Sequence, residues 1–165
     1  MKAIGIRVKA KDIVYCVVEE RSEGGEICCY ILANEKLIVP QALEMPDRLS
    51  YVRTSFESII KEYGVKNAGI RISEMSSIVN SSIIERTYLE GVIQELLSNC
   101  SVDNYFSGRK NTIARLLKSD QKTIGSYIDG ETALYGFDNW DDYTKDEKEA
   151  IVAGFASLQS GVQYE

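Results

Sequence analysis

The apolar residues of this chain change their period near residue 45, and that switch limits the fold more than any other feature. Before it, the pattern is that of strands. Residues 2–9 place Ile4, Ile6 and Val8 on one face and Ala3, Gly5 and Arg7 on the other. Residues 12–19 are apolar on both faces around IVYCVV. Glu23-Gly24-Gly25-Glu26 is a Gly-Gly hairpin signal, and residues 26–33 return as a third strand. The spacing predicts an antiparallel meander.

After Met45-Pro46 the period becomes helical. Asp47 is expected to cap a helix with Leu49, Val52, Phe56, Ile59, Ile60 and Tyr63 inward, stopped by Gly64. Residues 67–73 (NAGIRIS) alternate as a fourth strand, with Gly69, Arg71 and Ser73 on one face. Ser82-Ile83-Ile84-Glu85 has capping-box form and opens a helix to about residue 97. Residues 102–106 read as a fifth strand. A third helix follows Gly108-Arg109-Lys110-Asn111, with Ile113, Leu116 and Leu117 inward. Residues 120–143 read as irregular, and their aromatics (Tyr127, Tyr135, Phe137, Trp140, Tyr143) are expected to cover the core as a flap, with a binding loop as the alternative. Thr144-Lys145-Asp146-Glu147 caps a last helix carrying Ile151, Val152, Phe155 and Leu158.

Composition narrows the class. With 25 acids against 19 bases the net charge is −6, the wrong sign for a surface that binds nucleic acid indiscriminately. Histidine is absent, which removes Ser-His-Asp and Cys-His catalysis and every histidine-containing zinc site. Cys16, Cys28, Cys29 and Cys100 form no CxxC pair and are expected to be buried free thiols. No apolar run approaches the roughly 20 residues that span a bilayer. The opening residues lack a signal-peptide core, so a cytoplasmic protein without membrane contact is expected.

The expected order is β-β-β-α-β-α-β-α-α. Right-handed crossovers then give an α/β fold with a mixed five-stranded sheet, three antiparallel strands followed by parallel ones, and helices on both faces, residues 1–165 forming one domain. This order resembles the RNase H-like superfamily, and within it the RuvC-like branch that includes Holliday-junction resolvases. The segments that carry the resemblance are residues 5–9 (GIRVK), 62–73 (EYGVKNAGIRIS), 85–97 (ERTYLEGVIQELL) and 105–119 (YFSGRKNTIARLLKS). The opening, with Met1-Lys2, Gly5-Ile6, Lys9 and Asp12, and the Ile70-Arg71 pair are also similar to a family of short bacterial proteins.

The resemblance implies two divalent metals held by an Asp after GI in the first strand, a Glu in the fourth, and acids in the last helix. Here the first position is Arg7 and the second Arg71; only Asp146 and Glu149 remain acidic. A guanidinium cannot ligate Mg²⁺, so no metal and no other cofactor is expected. Read without the family, the small-residue faces of the first and fourth strands form a trough with two guanidinium groups side by side. That arrangement needs an anion or carboxylates between them. Asp146 and Glu149 are the first internal candidates and Glu74 the next.

Two roles follow. Arg7, Arg71, Asp146 and Glu149 form a structural charge cluster in a catalytically inactive binding or regulatory module, with a protein partner or self-association; or the arginine pair takes up an external anion. Against these stands an enzyme reading, a divergent metal-dependent nuclease using Asp12, Glu74, Asp146 and Glu149. An actin-like ATPase is set aside because the turn Lys9-Ala10-Lys11-Asp12 has no phosphate-binding glycine. A basic stripe of Arg109, Lys110, Arg115, Lys118 and Lys122 offers weak nucleic-acid contacts, countered by the acidic segment 138–149.

Overall fold

The computed structural model of the chain describes residues 1–74, 77–134, 137 and 139–159. Tyr135 and Asp138 lie outside the described residues. The sheet has five strands in the order β3-β2-β1-β4-β5. These are β1 (Lys2–Val8), β2 (Asp12–Glu23), β3 (Glu26–Ile38), β4 (Asn67–Arg71) and β5 (Asn104–Gly108). β1, β2 and β3 pair antiparallel, whereas β4 and β5 add in parallel. This is the expected mixed RNase H-like sheet.

Gly24 and Gly25 turn the hairpin, both with positive φ (62° and 92°), the conformation a two-residue turn needs. The hairpin is longer than its alternation suggests. β2 pairs with β1 only as far as Glu19, and beyond it β2 and β3 continue as a two-stranded arm. Cys28 and Cys29 sit on that arm and are half-buried, as is Cys100; only Cys16 is fully buried. The expectation of four buried thiols fails at Cys28 and Cys29 because no third strand covers the arm, and at Cys100 because it sits at the C-terminal cap of the helix over residues 81–99.

Helices α1 (Met45–Tyr63) and α2 (Ser81–Asn99) cover one face of the sheet. Helices α3 (Lys110–Leu116), α4 (Gln121–Asp129) and α5 (Lys145–Gln159) cover the other. Ile4, Ile6 and Val8 face the first layer and Ala3 the second, the two faces read from the alternation. Gly64 ends α1 in the left-handed conformation, and buried Val65 donates back to the Ile60 carbonyl.

Several boundaries differ from the sequence reading. Asp47 does not cap α1; Glu44 occupies the cap position, with Pro46 in the first turn. Asn80, not Ser82, caps α2, its side chain accepting from the Ile83 N–H at 3.0 Å. β5 begins two residues later than residue 102, and a shift of two leaves each side chain on its original face. The stretch 120–143 is not wholly irregular: Asp120 caps α4 by accepting from the Thr123 N–H at 2.8 Å. The described aromatics of this stretch, Tyr127, Phe137, Trp140 and Tyr143, do cover the core. Trp140 is buried and donates its indole N–H to the Tyr127 carbonyl at 2.8 Å. The Phe137 ring meets Phe155 edge-on at 5.6 Å.

One close approach sets the site. A Cβ on Gly5 would lie 1.9 Å from the Ala150 carbonyl oxygen and 2.3 Å from the Gly154 amide. On Gly69 it would lie 2.6 Å from the Phe106 ring and 2.7 Å from the Ala153 carbonyl. Only glycine lets the α5 backbone rest directly on β1 and β4. The small-residue trough is therefore filled by α5.

Candidate functional site

Helix α5 runs antiparallel to β1, so its first turns meet the C-terminal end of that strand. Gly5 lies under Ala150 and Gly154, Arg7 meets Glu149, and Lys9 meets Asp146. Two steps along the strand match about one helical turn. The arginines are direct partners across the parallel β1–β4 ladder. Period-two alternation aims both side chains at α5.

Glu149 receives both. Its Oε2 pairs with Arg7 Nε and its Oε1 lies 3.4 Å from Arg71 Nη2. Arg71 is 2% exposed and Glu149 5% exposed, so this contact is shielded from water. Arg71 Nη2 also donates to Glu74 Oε1 at 2.9 Å, and its Nη1 donates to the Ile72 carbonyl. Arg7 Nη1 donates to Ser73 Oγ at 2.9 Å and to the Arg71 carbonyl at 3.2 Å. Burial pulls the Arg71 guanidinium below its ordinary value, against the opposing pull of Glu149 and Glu74.

Asp146 does not join the arginines. It accepts from Lys9 Nζ at 2.8 Å, and Lys9 also lies 3.4 Å from Asp12. Asp146 sits three residues before Glu149, nearly a full helical turn, which carries it past Arg7 to the end of β1. The bond from Asp146, partly offset by burial, raises the Lys9 ammonium above its ordinary value.

The sequence reading missed a carboxylate from the other helical layer. Glu90 of α2 is 8% exposed, and its Oε1 has no hydrogen bond among the described residues, Arg86 Nε lying 3.6 Å away as its ion-pair partner. Burial pushes the Glu90 carboxyl up, with Arg86, Arg7, Arg71 and Arg109 opposing. The signal was present: Arg86 and Glu90 continue the inward spacing of Ile93 and Leu97, a charged pair on an apolar stripe.

The basic residues of the stripe do not share one helix face. Arg109 precedes α3 and donates to the Ser73 carbonyl at 3.2 Å. The Lys110 backbone N–H donates to Glu74 at 3.3 Å. Arg115 is exposed in α3, Lys118 follows the helix with φ 51°, and Lys122 is exposed in α4.

These residues do not fit a divalent metal. At the centre, two guanidinium groups occupy the space that oxygen ligands would need. Asp12, Glu74, Asp146 and Glu149 each face a cation already. Among the described residues no three carboxylate or thiol side chains gather as a metal-holding group.

No protein-family model matches the sequence, and no curated protein is similar to it in sequence. Solved structures are similar in fold. RuvC of Thermus thermophilus is 10% identical with a TM-score of 0.71, covering 96% of this chain and 94% of that one. The yeast mitochondrial Holliday junction resolvase is 14% identical with a TM-score of 0.58, covering 95% and 77%. The fowlpox virus resolvase, in complex with Holliday junction DNA, is 14% identical with a TM-score of 0.55, covering 99% and 100%. The chain has the RuvC-like, RNase H-like fold; at such identity the likeness concerns the fold alone.

Proposed function

We propose that this chain is a RuvC-like module that binds without cutting, its metal centre converted into an ion-pair cluster of Arg7, Arg71 and Glu149. The observation that supports this most is that one buried carboxylate serves two adjacent guanidinium groups where a nuclease of this fold would hold its metals. A divergent nuclease would have to release Asp12, Glu74, Asp146 and Glu149 from the cations that face them. Glu149 is the counter-charge of the arginines, and Asp146, outside the cluster, is that of Lys9.

The work of such a module is recognition. The neighbours described as complexes hold Holliday junction DNA. For this chain, exposed Arg115, Lys118 and Lys122 could touch phosphates, but a net charge of −6 makes such binding weak and steeply salt-dependent. A protein partner or self-association is the main mode. No described helix is long and apolar enough to cross a membrane.

The test is a cleavage assay of the purified chain with branched DNA and with RNA–DNA hybrid in Mg²⁺ and Mn²⁺. No cleavage is expected. Cleavage that disappears in Asp146→Asn overturns the reading.

A further inference from the structure

Next to the arginine cluster lies a cavity of about 350 Å³, lined by Lys9, Ala10, Lys11 and Asp12 from the β1–β2 turn and by Ser82 and Arg86 from α2. Its lining carries three cations and one carboxylate, on a chain whose net charge is −6. The local sign is thus opposite to the global one, which calls for a reason.

The cations are not equally compensated. Lys9 is held by Asp146 at 2.8 Å and by Asp12 at 3.4 Å, so the one lining carboxylate already faces a partner. Lys11 is exposed and has no ion pair among the described residues. Arg86 Nε is buried and has no hydrogen-bond acceptor among the described residues; Glu90, its ion-pair partner, stands 3.6 Å away, beyond hydrogen-bond reach. A buried donor of this kind is costly unless something accepts from it. Ser82 adds a hydroxyl at the first turn of α2, a turn with no acidic residue, where the helix dipole favours negative charge.

We infer that this cavity binds a phosphomonoester, with Lys11, Arg86 and Ser82 contacting the phosphate and Lys9, tied to Asp146, forming the adjacent wall. A phosphate monoester offers three terminal oxygens, one each for the Lys11 ammonium, the Arg86 Nε–H that lacks an acceptor and the Ser82 hydroxyl, whereas a carboxylate offers two. Three cations in the lining argue equally against a metal ion. The cavity is larger than a phosphate group and leaves room for the part that carries it. The inference does not depend on whether the arginine cluster is catalytically dead.

The test follows backbone amide shifts of the full ¹⁵N-labelled chain. Inorganic phosphate is titrated against chloride at matched ionic strength, then thymidine 5′-monophosphate and glucose 6-phosphate, with thymidine and glucose as uncharged controls. Saturable shifts at residues 9–12 and 81–86 are expected with phosphate, and none with the controls. Tighter binding of the nucleotide or of the sugar phosphate identifies the carrier, and equal binding assigns recognition to the phosphate alone. Lys11→Ala with Arg86→Ala should weaken binding by about tenfold or more. Because Arg86 is half-buried, Lys11→Glu is the second variant: it should abolish the shifts while leaving the melting temperature unchanged. Shifts that never saturate, that scatter over the surface, or that persist in Lys11→Glu overturn the inference.

Discussion

Arg7 and Arg71 stand opposite each other on neighbouring parallel strands, and the Glu149 carboxylate spans both. The sheet register imposes the proximity of the two cations, and α5 supplies the one counter-charge that they share. It can do so only because Gly5 and Gly69 let its backbone settle on the sheet.

Glu149→Gln should be the most damaging single change in the cluster. It keeps the volume but leaves two shielded guanidinium groups without their shared anion. Breaking a buried ion pair from one side costs about 3–5 kcal/mol. A fall in melting temperature of about 10 °C is expected by calorimetry. A fall of less than about 3 °C, under 1 kcal/mol on that scale, would mean the pair contributes little.

Arg7→Asp with Arg71→Glu places oxygen ligands beside Glu149 and Asp146. Titration calorimetry should then detect Mn²⁺ binding in the double variant and none in the wild type. Equal heats from both proteins would remove the idea that charge inversion alone closed the metal site.

Gly5→Ala tests the close approach. The added carbon would meet the Ala150 carbonyl and the Gly154 amide, both backbone atoms of α5, so the helix itself would have to shift. Overpacking of this kind costs about 3 kcal/mol or more. Denaturant unfolding should show that loss for Gly5→Ala and none for Gly91→Ala, at an open helical position where alanine is the better former.

Glu90→Gln should stabilise the protein in a pH-dependent way. Burial raises the folded-state pKa of this carboxyl above its unfolded value. Its contribution is therefore most favourable below the unfolded pKa, about 4.3, and is lost as pH rises through the folded value. The variant should melt higher than wild type at pH 8, with the difference shrinking towards pH 4. A gain that is the same at both ends would show that ionisation of Glu90 is not its source.

Much of the fold was legible from local rules. Alternation in residues 2–9 assigned Ile4, Ile6 and Val8 to one layer and Arg7 to the other; the Gly24-Gly25 turn and the Gly64 stop followed from backbone conformations glycine adopts at little cost. The Thr144–Glu147 capping box also forms, the Glu147 carboxylate accepting from Thr144 N–H and Oγ1 at 2.7 Å. Helix α4 was not legible: its core contact is three residues, Ile124, Tyr127 and Ile128, too short a pattern to stand out.

By itself the sequence determined which residue types could meet: arginines at the two strand positions, small residues beside them, acids at the start of the last helix. Which acid met which base was decided only by the tertiary structure. Side-chain pairing across elements depends on the depth and phase at which a helix sits on a sheet, and the Gly5–Gly154 approach sets both. That phase gave Glu149 to the arginines and Asp146 to Lys9, and the packing of α2 brought Glu90 and Arg86 to the same region from the opposite layer.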